Sequence, residues 1–390
     1  MKKAFQYFIF ISAISVTIHA SSQDKFMRLE NNSLVTPSGI PITLKSVNLG
    51  GWLLWEGWIF GGGFTKESVI KNRLLQLLGR EEYNNFLSRF YEDYITEKDI
   101  ALIAARGFNN IRLPFNYRIF TSEDSGYIDG FKKIEEVIGW CKKYKLYLIP
   151  DMHAAPGGQN NVFTSDPDNI KLWSSGDNQQ QTYELWMKIA DRYKNDTTVA
   201  GYDLLNEPDV NSTSTLVNFY TGLVRSIRSV DKNHLLIIEG NKMAHSFKNF
   251  PAKFDDDQIY SYHYYAWFGE NNKSKNIREI TSGIITDLPF WCGEWGEDTR
   301  QNLKDIHNLL LQQPGLCGTS FWTWKRVYKS NSRYPVYSIH STANWDKIMS
   351  WVTWKLSKPT KEQITKGIEE FLNAIKIENC QDNEILNRDW

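Results

Sequence analysis

Several features that would narrow the function of this 390-residue chain are missing. Lysine plus arginine and aspartate plus glutamate number 45 each, so no overall field draws in nucleic acid or an anionic membrane surface. A neutral partner fits better, and no nucleic acid is expected. Cysteine is scarce: Cys141, Cys292, Cys317 and Cys380 lie far apart, which excludes a tight zinc spacing and a CxxC redox pair. The sequence cannot pair them, and in a chain this large buried free thiols are expected. There is no HExxH, no GxSxG, and no GxGxxG after the first apolar strand. Zinc-protease, serine-hydrolase and dinucleotide-binding readings therefore lose their main support. No metal and no cofactor is expected. Short repeats and low-complexity tracts are absent too.

The one marked apolar run stands at the start. "MKKAFQYFIFISAISVTIHASSQD" has Lys2 and Lys3, then an apolar stretch from Phe5 to Val16, then Ala20 before a polar start. That order predicts a signal peptide over residues 1–20 and a secreted or periplasmic protein, with no membrane insertion after its removal. The rest reads as one large domain over residues 21–377, with a peripheral tail over 378–390. A monomer is expected. Aromatic residues make up 14% of the chain, with 15 tryptophans, which supplies either a ring-rich core or flat platforms for the CH faces of sugars.

From residue 41 onward, short β-rich runs alternate with longer stretches of helical period. The strand candidates are ITLKSVNLG, NNIRLPF, LYLIPDMH, VAGYDLLNEP, LLIIEG, IYSYHYY, PFWCGEW and GTSFWTWK. Segments such as FKKIEEVIGWCKKYK and QQTYELWMKIADRYK lie between them, with apolar residues three and four apart. Eight such units in one domain predict an α/β fold, a single (β/α)8 TIM barrel, over the alternative of an open doubly wound sheet. The crossover NKMAHSFKNF after the fifth strand offers barely two turns of helix. Residues 326–358 exceed an ordinary connection and are expected to form a long loop shaping a cleft, with residues 360–376 as the last helix.

In a barrel the C-terminal strand ends converge on one cleft. Read strand by strand, those ends carry Asn48 with Glu56 in the next loop, then Arg112, His153, and Asn206 with Glu207. The later strands add His263 and Tyr265, Glu294, and finally Trp322 and Trp324. Singly, each has a bland explanation as a salt bridge, a core histidine or a packed ring. Together at matching ends they point to chemistry. Glu207 and Glu294, on the fourth and seventh strands, supply the two carboxylates that glycosidic hydrolysis needs, one to give a proton and one to attack. Arg112 is the charge expected to keep one of them ionised.

These motifs resemble glycoside hydrolase family five, the cellulase-type retaining β-glycosidases. The likeness runs from VNLGGW through IRLPF, DMHAAPGGQN, LLNEP, HYY and CGEWG to FWTWK. It implies that Glu207 is the acid/base and Glu294 the nucleophile, and that Asn206 meets the sugar 2-hydroxyl. It further implies that Arg112 and Tyr265 contact the nucleophile, while His153, His263 and one strand-eight tryptophan line the sugar subsite. Trp322 and Trp324 are two apart and are expected to share a face, with Trp324 preferred as the stacking ring. SVNLGGWLLWEGW and HAAPGGQN are most similar to the exo-β-1,3-glucanase branch, where the acid after NLGGW, here Glu56, binds the terminal glucose. The expectation is therefore an exo-acting, retaining β-glucan hydrolase with a β-linked oligo- or polysaccharide as its partner. An endo-acting β-1,4-glucanase of the same family is the alternative, and a non-catalytic carbohydrate-binding barrel is the rival of another class.

Overall fold

A computed structural model describes residues 25–121, 128–266, 273–284, 287–296, 299–329 and 334–387. The expected signal peptide at residues 1–20 lies outside the described residues. Eight parallel strands close into a barrel. In chain order they are Leu44–Asn48, Asn110–Asn116, Tyr147–Ala154, Gly201–Asp203, Leu235–Glu239, Gln258–Tyr264, Phe290–Trp295 and Leu316–Phe321. The eighth pairs with the first, Gly318 opposite Leu44, so the ring has no free edge. Each expected strand is present, which confirms the α/β barrel.

The strands read as apolar runs because both faces are covered, by helices outside and by layered side chains inside. Helix Thr213–Arg228 shows the outer pattern: Leu216, Phe219, Tyr220, Leu223, Val224 and Ile227 are buried, three or four residues apart. Lys361–Ala374 starts with a capping box between Thr360 and Gln363 and closes the ring. Among the described residues no helix is long and apolar enough to cross a membrane.

Four features depart from the sequence reading. A hairpin precedes the barrel, Arg28–Glu30 paired with Ser33–Val35. Its two turn residues, Asn31 and Asn32, have φ of 50° and 57°, the signature of a two-residue primed turn. Met27 and Leu34 from this hairpin pack with Leu44, Ile149, Ile237 and Ile259, sealing the barrel floor.

The crossover after the fifth strand contains only Asn241–Ala244, and it is not an ordinary helix. Lys242, Met243 and Ala244 all have positive φ, so the chain turns left-handed there.

Residues 326–358 are not a long loop. They hold strand Tyr337–Ile339 and helix Ala343–Trp354, whose Trp345 stacks on Phe371 with centroids 3.6 Å apart.

The tail is not peripheral. Gln381–Asp382 pairs with Tyr337 and Ser338, and Ile385 is fully buried. Arg106 donates to the Ile385 carbonyl at 2.9 Å, which fixes this end against the barrel wall.

All four cysteines are free thiols, three of them buried. Burial pushes the thiols of Cys141 and Cys317 up to about 12, so they stay protonated and inert.

Candidate active site

Arg112 stands at the centre, fully buried; it is the third residue of the second strand rather than its end, where the sequence reading places it. All five of its N–H groups have acceptors. Nε donates to Asp203 at 2.8 Å, Nη1 to Asn48 at 3.1 Å and Glu294 at 2.7 Å, and Nη2 to Asn206 at 2.9 Å and Glu239 at 3.0 Å. Asp151 adds a fourth carboxylate 3.1 Å from Nη2. Burial works against the cation, but these four carboxylates hold its pKa well above the ordinary value.

The two glutamates at the cleft meet different neighbours. Glu294 receives Arg112 on Oε1 and the Tyr265 hydroxyl on Oε2, the latter at 2.7 Å. A guanidinium and a phenol donating to the same carboxylate fix both of its oxygens in place, as a nucleophile aimed at carbon requires. Glu207 faces His263 instead, with Nδ1 2.9 Å from its Oε1. Its backbone has φ of 47°, a left-handed conformation that a non-glycine residue holds only under constraint. The constraint is visible. Asn160 donates to the Glu207 carbonyl at 3.0 Å, and Gln159 donates to the carbonyls of His153 and Asn206, each at 2.7 Å. The loop after the third strand thus clamps the turn after the fourth. The strand ladder stops at Asp203, but the Leu204 and Asn206 N–H groups still bond to the fifth and third strands.

His153 sits between Asp151, whose carboxylate is 2.7 Å from Nδ1, and the Asn206 amide, 3.2 Å from Nε2. Burial lowers its pKa, yet the charge and hydrogen bond of Asp151 together with the Glu294 charge outweigh that and hold it above the usual histidine range. Trp322 stacks on its ring with centroids 5.2 Å apart. Glu56 is buried close by: Oε2 accepts from the Trp58 indole at 2.5 Å, while Oε1 has no hydrogen-bond partner and lies 3.9 Å from His153 Nε2. Burial pushes the Glu56 carboxyl up to about 7, against the opposing pull of His153.

Nearly all the residues expected at the site come together, but two stand differently. Trp324 is fully buried away from the cluster, its indole donating to Asp99 at 2.9 Å and its ring against Tyr337. The strand ends at Phe321, so the alternation that put Trp322 and Trp324 on one face does not extend to them. Trp322 is the ring at the cleft. Asn48 faces no open space: its amide donates to the Gly293 and Phe321 carbonyls and the Ser320 hydroxyl, and its oxygen holds Arg112. It is a strut beneath the site.

Sequence reasoning missed Asp151, Asp203 and Glu239, which surround Arg112 from the third, fourth and fifth strands. The signal was there: each is an acid inside an otherwise apolar strand run, a position where acids occur only when paired.

Glu207, His263 and Glu294 bring donor atoms within 4.8 Å of one another. Arg112 already neutralises Glu294 from 2.7 Å, and a second cation beside it would be repelled. The triad fits acid/base work better than metal binding.

The sequence model of the cellulase family (glycosyl hydrolase family 5) matches residues 79–357. The chain belongs to glycosyl hydrolase family 5. A beta-xylosidase of Phanerodontia chrysosporium is 34% identical over 251 residues, 63% of this chain and 52% of that protein. Endoglucanase C of Acetivibrio thermocellus is 36% identical over 196 residues, 48% of this chain and 55% of that one. A protein of Aspergillus fumigatus described as probable glucan 1,3-beta-glucosidase A is 29% identical over 270 residues, 65% and 64% of the two chains. The chain therefore spans about half to two thirds of the length of these relatives. A solved β-glucanase from Saccharophagus degradans has the same fold, with a TM-score of 0.55 at 17% identity, covering 90% of this chain and 94% of that one.

Proposed function

We propose that this family 5 enzyme hydrolyses β-glucosidic bonds of a glucan with retention of configuration. The observation that carries the reading is the asymmetric carboxylate pair. Oxygens of Glu207 and Glu294 lie within 4.8 Å, which leaves no room for a water between nucleophile and sugar. In the first step the Glu294 carboxylate forms a bond to the anomeric carbon while the glycosidic C–O bond breaks, and the proton of Glu207 passes to the departing oxygen. In the second step Glu207, now ionised, takes a proton from water as that water displaces Glu294. Both carboxylates end as they began. NMR of the first-formed product is expected to show the β-anomer, and first appearance of the α-anomer would overturn double displacement.

The cleavage mode has two readings with separate support. The family's cellulase description and the likeness to an endoglucanase favour internal cleavage of a β-1,4-glucan over the exo-β-1,3 action expected from the sequence. One observation favours exo action: Glu56 presents a buried, unpartnered oxygen beside His153, a grip for the hydroxyl of a terminal sugar. A product profile over β-1,3-, β-1,4- and mixed-linkage glucans separates them. Rapid loss of viscosity with mixed oligosaccharides supports endo action, and glucose as the sole early product supports exo action. Export through the segment at residues 1–20 accords with a polymeric substrate outside the cell and is part of the same proposal.

A further inference from the structure

Glu239 ends the fifth strand and is fully buried, with no role in the two displacement steps. Its carboxylate nevertheless touches the acid's support at two points. Oε2 accepts the main-chain N–H of Glu207 at 2.7 Å. Oε1 faces His263 Nε2 at 3.1 Å, and the other nitrogen of that ring faces the Glu207 carboxyl at 2.9 Å. The same Oε1 accepts from Arg112 at 3.0 Å, which ties the arrangement to the nucleophile's own cation.

We propose that Glu239 is a positioning residue for the acid/base step, fixing Glu207 directly at its main chain and through His263 at its side chain. The inference rests on the reading of Glu207 as acid/base. Its physical basis is donor arithmetic. Backbone N–H and guanidinium can only donate, so the group between them must accept from both, and an ionised carboxylate accepts on both oxygens. With that acceptor at Nε2, the ring keeps a proton on Nε2 and turns Nδ1 toward Glu207. Burial disfavours a charged ring, but Glu239 and Glu294 together hold His263 well above the usual histidine range, so Nδ1 also carries a proton. Glu207 Oε1 is then an acceptor, which leaves Oε2 as the oxygen that faces the leaving group. The main-chain bond holds Glu207 in the left-handed conformation that aims this carboxyl.

Glutamine has the same shape but one NH2 in place of an oxygen. Whichever way it turns, that NH2 meets a donor: the Glu207 N–H on one side, or Arg112 and His263 on the other. Glu239→Gln is therefore expected to impair proton donation selectively. On aryl β-glucosides with poor leaving groups, kcat should fall by about 10²-fold, the usual worth of general acid catalysis. On a dinitrophenyl β-glucoside, whose leaving group needs no proton, glycosylation measured by the burst of released phenol should stay within about threefold of the unaltered enzyme. Glu239→Asp, which keeps the charge, should recover a substantial part of the loss. Active-site titration normalises each rate to folded enzyme, so poor folding does not imitate the result. An equal loss on both leaving groups, or no rescue by aspartate, would overturn the role of Glu239. A poor-leaving-group rate unchanged in Glu239→Gln would overturn it as well. Absence of glycosidase activity in the unaltered enzyme would overturn the underlying reading, and this proposal with it.

Discussion

Two regions of this molecule are sealed from water to the same degree and built in opposite ways. Around Arg112 the barrel buries four carboxylates, two histidines and two asparagines, each placed by a hydrogen bond. Beside the barrel, where the eighth unit folds back, Trp55, Phe60, Phe86, Phe90, Trp345 and Phe371 pack as rings on rings. The aromatic region gains stability from area and contact and tolerates small adjustments. The charged region gains little net stability from its burial, because desolvation offsets much of the attraction. It gains geometry instead: each charge can sit in one place only. Depth of burial therefore says nothing about function here, whereas the polarity of what is buried does.

The largest expected effect falls on the charged side. Glu294→Ala should lower kcat by at least about 10³-fold, since the covalent step loses its nucleophile, and azide should restore turnover by substituting for it. Glu207→Ala should retain cleavage of activated aryl glycosides. If the two variants behave alike on such substrates, the two roles are wrongly divided.

Arg112→Met comes next. It strands Asp151, Asp203, Glu239 and Glu294 without their shared cation, and urea unfolding should show a loss of about 3–5 kcal/mol together with loss of activity. A variant that stays stable would mean that the carboxylates take up protons at little cost, and the contrast between the regions would weaken.

On the aromatic side, Trp345→Ala removes a ring stacked on Phe371 and should also cost about 3–5 kcal/mol. Here the kcat of the folded fraction should stay within about twofold, because the groups that meet this tryptophan, the Phe86 and Phe371 rings and the Phe60 carbonyl, belong to the aromatic side. A large drop in kcat at full folding would show that the two regions are coupled.

The smallest effect concerns Glu56, which lies beside His153 in the cleft and follows Trp55 of the aromatic side in the chain. Its folded pKa is raised from 4.5 to about 7, so the folded state binds the proton more tightly than the unfolded one. Stability from this group is fully present below pH 4.5 and is lost as pH rises toward about 7. Glu56→Gln removes the loss. Its stability relative to the parent should match near pH 4.5 and exceed it above pH 7, by up to about 3 kcal/mol, the free energy of that rise. Thermal melts of both proteins at the two pH values check the sign; a gap that shrinks with rising pH would contradict burial as the dominant influence on this carboxyl.

The sequence by itself determined the eight strands and most of the helices between them, because alternation of apolar runs with helical period is written locally; it did not show the left-handed turn after the fifth strand or the helix Ala343–Trp354. It also carried the motifs around Glu207 and Glu294, enough to indicate the family. It could not show that Asp151, Asp203 and Glu239 would meet on Arg112, nor that Asn48 would be used up as a strut. Such contacts join residues as far as 273 positions apart, as between Asn48 and Phe321, and only closure of the ring brings them within reach. Trp322 and Trp324 make the same point at short range. Their spacing implied a shared face, but the strand stops at Phe321, and beyond it the two rings are placed by the backbone bonds of Trp322 to Trp295 and of Trp324 to Asn48. Local periodicity therefore fixed which elements form, while barrel closure decided which side chains share the cleft and which lie beneath it.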